Sequence, residues 1–347
     1  MIEPFAKAIF LGIFRLHIQG KFKKSDKMIT YYLKICYSLF MIDLHSHSTA
    51  SDGNLSPTNL VLKAKERGIT VLALTDHDTT AGLAEAASAA LSQGITFVPG
   101  IELNITWPTG EFHLLGLGLT HAHQELQSII TELKDQRANR NKNIIQKLKQ
   151  DGFPVSQELL QAEFPNSTLG RPHIAAYLVK IGACKTVQQA FDQYLGKGRP
   201  YYIHRAGADL QDSIHAIKAS GGIPVLAHPL SLYVSWGKIE PVLRGLREAG
   251  VEGLEAYHPG ARRPEGFRLE EMGRRLGFFI TGGSDFHGEG IRKDRKLGHG
   301  CKGDKIPHRL WTEELLPRLT FTERLQECDA GGAMEPVFKI WKSNTTD

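Results

Sequence analysis

From residue 41 onward the chain alternates between two hydrophobic rhythms. Segments of strand length rich in apolar or β-branched residues occur at 42–45, 69–75, 95–98, 112–119, 223–227, 251–256 and 278–281, and 69–75 is continuously so. Runs of this kind fit strands buried on both faces. Between them lie segments with apolar positions at helical spacing, at 57–67, 80–92, 238–249 and 266–276. The first helix is punctuated by Ser56 as N-cap, Pro57 in the first helical position and Gly68 as a stop. Gly94 closes the second. Strand–helix alternation predicts an α/β fold with a parallel sheet, either doubly wound or closed into a barrel.

Between 124 and 220 the strand signal disappears. A long polar helix at 124–150 and shorter ones near 156–163, 172–181 and 186–194 predict a helical insertion at 124–220. The α/β body is then made of 41–123 and 221–302. A basic, aromatic leader at 1–40 is expected to be dispensable, and 303–347 to form a poorly patterned tail. The apolar stretch of the leader ends at Arg15, too short to span a bilayer, so no membrane partner is expected.

Composition narrows the class. An apolar fraction of 41% and a charged fraction of 23% exclude disordered, collagenous and disulfide-scaffold chains. Cys36, Cys184, Cys301 and Cys328 are far apart and form no C-x-x-C pair. That fits a reducing, cytoplasmic location and argues against a zinc finger. The net charge of +5 resides in residues 1–40, and the remainder has 35 basic and 35 acidic residues. Overall charge therefore gives no reason to infer a partner.

The candidate chemistry sits at the strand ends. His45-Ser46-His47, followed by Asp52, places two imidazoles on one side of an extended segment. Asp76-His77-Asp78 follows the second strand, where ionisable groups are costly unless paired; Asp78 also suits a helix cap. Ser284-Asp285-Phe286-His287 follows the last strand, after Gly282-Gly283, which would let the backbone approach a ligand. Glu102, His113 and His228 occupy similar places singly. Imidazole and carboxylate donors without thiolates suit Zn, Mn or Fe, with Mg as a further candidate. Nine donors are too many for one ion, so two or three divalent ions per chain are expected, with a carboxylate bridging. Such a cluster activates water and clamps a phosphoryl transition state.

In order along the chain, His45-Ser46-His47, Asp52, Asp76-His77-Asp78, Gly100-Ile101-Glu102, His113, Ala227-His228-Pro229 and Ser284-Asp285-Phe286-His287 resemble the polymerase-and-histidinol-phosphatase (PHP) family over roughly 41–300. The insertion motifs Gly170-Arg171-Pro172-His173 and Gly196-Lys197-Gly198-Arg199-Pro200-Tyr201 resemble its bacterial stand-alone branch. Members of that branch hydrolyse nucleoside 3′,5′-bisphosphates and trim short RNA 5′→3′. The resemblance implies a distorted (β/α)7 TIM-like barrel with a helical insertion. It implies one ion on His45, His47, Glu102 and Asp285, a second on Glu102, His113 and His228, and a third on Asp52, His77 and His287. It also implies a water shared by the ions as nucleophile, at the site formed by Glu102, Asp285, His45 and His47.

Phosphate recognition needs fixed positive charge beside the ions. Arg171, Lys197, Arg199 and His258 are the candidates, each with the alternative of a solvated surface group. The basic run on 134–149, with Arg137, Arg140, Lys142 and Lys147, is open between an RNA-facing surface and a solvated helix face. The expected substrate is a nucleotide bisphosphate or a short 5′-phosphorylated RNA, with no obligate protein partner. Histidinol-phosphate phosphatase, or a non-catalytic metal- or nucleic-acid-binding module, are the alternatives.

Overall fold

Seven short strands form one sheet, and most of their residues are buried because both faces are covered. In chain order they are β1 (Met41–Asp43), β2 (Ile69–Leu74), β3 (Thr96–Ile105), β4 (Phe112–Leu117), β5 (Ile223–Leu226), β6 (Gly253–Tyr257) and β7 (Phe279–Gly282), and they neighbour one another in that same order. This computed structural model describes residues 40–319 apart from 166–168, 205, 290 and 293. All but the last residue of the expected leader, and the tail beyond 319, lie outside the described residues.

The sheet is not wholly parallel. β1–β2–β3 and β5–β6–β7 are parallel sets, but β4 runs antiparallel to both β3 and β5. Only residues 106–111 separate β3 from β4. A parallel crossover needs a dozen or more residues, so the chain can only turn back. β3 is also longer than its apolar run, because Pro99 and Gly100 do not end it. Gly100 pairs with Leu117, and a Cβ at position 100 would come within 2.9 Å of the Gly116 carbonyl oxygen. The segments after β1 and β7 run side by side. The Asp285 N–H donates to His45 O at 2.9 Å and the His47 N–H to Phe286 O at 2.9 Å.

Helices α1 (Pro57–Glu66) and α2 (Leu83–Gln93) follow the first two strands. Ser56 caps α1 by accepting the Asn59 N–H at 3.2 Å. α2 ends at Gly94 in the left-handed region. Helices α3 (Gln124–Gln150), α4 (Gln157–Glu163), α5 (Arg171–Lys180) and α6 (Val187–Ala190) follow β4, and α7 (Leu210–Ala219) leads into β5. α8 (Ile239–Glu248) and α9 (Arg263–Arg275) complete the body. Ile239, Leu243 and Leu246 give α8 its buried stripe.

Two apolar clusters divide the work. The larger lies between the sheet and its helices, and the smaller joins Ile144, Leu148, Leu160, Ile174, Leu178 and Leu195 within 144–201. α3 spans both: Leu126, Ile130 and Leu133 enter the larger, Ile144, Ile145 and Leu148 the smaller. Each such side chain contributes about 1.5–3 kcal/mol when fully buried. α3 is therefore polar in composition but anchored along its length. Residues 304–319 pack against the body, although they fall in a stretch expected to be a poorly patterned tail. Ile306, Leu310, Trp311 and Leu315 are buried in the larger cluster, and Arg309 reaches Glu270 on α9 at 2.9 Å. Apolar residues arriving on a short turn carry too weak a period to be read from sequence.

Candidate metal centre

The nine expected donors converge. Glu102, fully buried within β3, is their common point. Its Oε2 lies 3.2 Å from His45 Nε2, 3.2 Å from His47 Nε2 and 3.0 Å from His77 Nδ1. Its Oε1 lies 2.9 Å from His113 Nδ1 and 3.1 Å from His228 Nε2. Asp285 Oδ1 approaches His47 Nε2 at 3.2 Å and His45 Nε2 at 3.6 Å. Asp52 Oδ1 lies 3.3 Å from His287 Nε2 and 4.0 Å from His77 Nε2.

The reversed strand is what brings in His113. It stands at the beginning of β4, opposite Asn104 near the end of β3. In a wholly parallel sheet it would lie at the far edge. The backbone is also strained here: Asp78, His228 and Asp285 adopt φ of 53°, 26° and 51°, in the left-handed region that non-glycine residues seldom visit. Gly283 has a different role from the one its position suggested. A Cβ there would come within 2.1 Å of the His45 Cβ, so the glycine admits the neighbouring chain rather than a ligand.

Three groups of donors have atoms within 4.8 Å of one another: His45, His47, Glu102 and Asp285; His47, Asp52, His77 and His287; and His77, Glu102 and His113. The donor chemistry fits a divalent cation. Glu102 Oε2 and Asp52 Oδ1 are buried without a hydrogen-bond donor among the described residues, which is costly for a carboxylate. His45 Nε2 and His47 Nε2 face each other at 3.1 Å. A cation between these groups relieves both features.

The charges sharpen this. Burial alone would push the Glu102 carboxyl up, but His77, His45 and His113 hold it well below the usual carboxylate range. Asp285 is lowered in the same way, with His287 the strongest opposing influence. Burial disfavours a charged His45, yet Glu102 and Glu255 hold it raised. Burial would lower His47, but the adjacent Asp285 and Glu102 carboxylates outweigh it and raise the value to about 10. At His77 burial wins and the value falls to about 4. A cation at this site would compete with the protons that His45 and His47 hold in its absence.

In the layer of acids behind these side chains, Glu255 and Asp43 were not singled out in the sequence, whereas Asp76 belongs to the Asp76-His77-Asp78 motif. Glu255 Oε1 accepts from His45 Nδ1 at 3.0 Å, and its Oε2 from the His228 N–H at 2.8 Å. Asp43 accepts the N–H groups of Ser284 and Gly298 at 2.9 and 2.7 Å. Asp76 accepts from Ser48 and Ser51. A carboxylate inside a fully buried strand, as Glu255 is, was the available signal. Such a partner orients a ligating imidazole through its other nitrogen. Asp78 does not cap α2, whose N-cap is Gly82. It pairs with Arg137 at 2.8 Å and accepts the Asn104 N–H at 3.1 Å. Arg137 and Arg140 are accordingly buried, not presented to solvent or RNA, whereas Lys142 and Lys147 are exposed.

The four phosphate candidates divide. His258 is buried; its Nδ1 accepts the Gly260 N–H at 3.0 Å, and its Nε2 lies 3.3 Å from Asp285 Oδ2. Burial lowers it to about 4, so it offers a neutral N–H and not the fixed charge expected. Arg171 pairs with Glu111 at 2.7 Å, two residues before His113. Lys197 donates to the Thr109 carbonyl oxygen. Arg199 is exposed, with no ion pair among the described residues.

An α/β sheet whose strand ends carry a carboxylate-centred imidazole cluster defines the class: a fold whose strand ends present a cluster that could hold metal. A PHP domain is matched over residues 43–181. The chain is 36% identical to a 5′-3′ exoribonuclease of Haemophilus influenzae, covering 71% of this chain and 89% of that one. It is 33% identical to a 3′,5′-nucleoside bisphosphate phosphatase of Chromobacterium violaceum, covering 78% and 95%. In structure it is similar to a protein of Bifidobacterium adolescentis described as a metal-dependent phosphoesterase (TM-score 0.71, 30% identity, 80% and 96% covered). It is also similar to an amidohydrolase of Chromobacterium violaceum (TM-score 0.68, 32% identity, 79% and 97% covered). The chain belongs to the PHP family. Among the described residues no helix is long and apolar enough to cross a membrane.

Proposed function

We propose that this protein is a metal-dependent phosphoesterase that hydrolyses nucleoside 3′,5′-bisphosphates and removes nucleotides from 5′-phosphorylated RNA ends. The observation that carries the metal dependence is Glu102, surrounded by five imidazoles with one oxygen that accepts no hydrogen bond among the described residues. The substrate class is supported by the names of relatives that match most of this chain at 33–36% identity.

His45, His47, Glu102 and Asp285 would hold one ion; Glu102, His113 and His228 a second; Asp52, His77 and His287 a third. The ions, Mn, Zn or Fe, supply Lewis acidity toward phosphoryl oxygens and water. The protein does the rest. Glu255 fixes the tautomer of His45, and Ser231 bonds His228 Nδ1 at 2.8 Å to orient the opposite side of the cluster. Burial of Glu102 excludes bulk water and keeps its charge effective. The reacting phosphate lies against this face. The second phosphate is received at the basic edge formed by Arg171, Lys197 and Arg199, with His258 donating from the Asp285 side. That edge accounts for selection of a 5′-phosphorylated terminus. A cytoplasmic location belongs to the same reading, since Cys184 and Cys301 are buried free thiols.

The test is a substrate panel on metal-loaded protein: adenosine 3′,5′-bisphosphate, histidinol phosphate, phosphoribosyl 1,2-cyclic phosphate, and RNA with a 5′-phosphate or 5′-hydroxyl. Chelator-sensitive release of phosphate from the bisphosphate, with 5′-phosphorylated RNA favoured, is expected. Turnover of histidinol phosphate but not the bisphosphate would overturn the substrate assignment.

A further inference from the structure

One buried cation at the centre, Arg295, is left without side-chain hydrogen bonds among the described residues. Arg295 follows the Asp285–His287 motif by several residues, and its side chain is 8% exposed. Its Nη2 is 3.8 Å from Asp285 Oδ2 and its Nε 3.5 Å from Asp294 Oδ2, both too long for hydrogen bonds. Nε and Nη1 are buried with no hydrogen-bond partner among the described residues. Arg137, by contrast, meets Asp78 at 2.8 Å, as a structural buried arginine does.

The neighbours of Arg295 do not claim it. Asp285 turns Oδ1 toward His45 and His47 and Oδ2 toward His258 Nε2 at 3.3 Å. Asp294, 63% exposed, is shared with Arg292, whose Nε lies 3.3 Å from its Oδ1. Gly260 leaves room here: a Cβ on it would lie 3.0 Å from His258 Nδ1 and 3.9 Å from Arg295 Nη1. A guanidinium with open donors beside a cation-binding cluster is repelled by the ions unless an anion lies between them. A phosphoryl group, with several acceptor oxygens, meets both demands, and a planar guanidinium suits it.

We propose that Arg295 is a phosphate-binding residue that takes a non-bridging oxygen of the phosphoryl group at the metal centre, alongside the His258 N–H. This rests on the phosphoesterase reading above and adds a group outside the donor set and the insertion motifs. It assigns the Asp285 side of the cluster to the reacting phosphate and leaves Arg171 and Lys197 for the second.

The experiment compares the metal-loaded full chain with Arg295→Ala and Arg295→Lys. Metal content, thermal unfolding, calorimetric affinity for inorganic phosphate and kcat/KM on adenosine 3′,5′-bisphosphate are measured. For Arg295→Ala, phosphate affinity is expected to fall roughly tenfold or more and kcat/KM by about 10²-fold, at unchanged metal content. Arg295→Lys should recover part of both. Wild-type phosphate affinity in a folded, metal-replete Arg295→Ala protein overturns the proposal, as does a loss that tracks loss of metal. If Arg295→Ala does not fold, Arg295→Lys and Arg295→Gln decide by the same readouts. Should wild type bind phosphate through Arg295 yet leave the bisphosphate intact, the substrate assignment fails and the role of Arg295 stands.

Discussion

The strand ends and the helical insertion handle charge in opposite ways. At the strand ends Glu102 is fully buried and meets five imidazoles, and behind them Glu255 and Asp43 are themselves buried and bonded. On the insertion side Arg171 holds one half-exposed acid, Lys197 one carbonyl oxygen, and Arg199 stands exposed. The first arrangement is over-determined: moving any one group disturbs several others. The second is loosely tied, so its residues are free to exchange those contacts for a ligand. The comparison separates what performs the reaction from what selects the substrate.

The largest effect should come from Glu102. Glu102→Ala leaves five imidazoles without their shared carboxylate; activity should drop to background and bound metal, read by elemental analysis, should fall with it. Metal-replete, active Glu102→Ala protein would break the distinction between the two regions. Glu255→Gln keeps the shape but weakens the hold on His45 and His228. Metal affinity or activity should fall about ten- to a hundredfold, as titration of the apoprotein with Mn would show. At the insertion edge, Arg171→Ala should raise KM for the bisphosphate about tenfold, the equivalent of about 1.4 kcal/mol, with metal content and turnover of a simple phosphomonoester unchanged. An equal loss on both substrates would place Arg171 with the reaction chemistry.

The smallest effect tests an acid outside the donor set. Glu270 bonds the Tyr257 hydroxyl, Arg274 and Arg309. Partial burial would raise its carboxyl, but those three partners lower it to about 2. A carboxyl lowered in the folded state contributes stability above its unfolded value near 4.5, and that contribution is lost as pH falls through about 2. Thermal unfolding of Glu270→Gln should therefore lose pH dependence between about 4.5 and 2 relative to wild type, with activity untouched. An unchanged profile would remove Glu270 from the acid response.

Much of the centre was legible because its parts are local. An H-x-H pair, an acid and imidazole after a buried run, and a second such motif late in the chain each carry their own pattern. The reversed β4 was not legible as such, although the short stretch 106–111 that forces it is plain in the sequence. Glu255 escaped notice because one acid in a run of strand length reads as a boundary residue until the strand is seen to be buried throughout. Arg137 read as part of a basic helix face, open between RNA and solvent, because its partner, Asp78, lies 59 residues away. Leu310, Trp311 and Leu315 lie in a stretch whose apolar positions match neither a strand period nor a long helix.

The amino-acid order by itself determined the α/β alternation, the helical insertion and the kind of chemistry available, since apolar period and donor type are properties of neighbouring residues. Tertiary structure decided which acid became the shared centre, which arginines were spent inside the protein and which one kept open donors. Those outcomes depend on distances between residues far apart in the chain. Strand pairing and the direction of β4 set those distances, and neither is written in any local run.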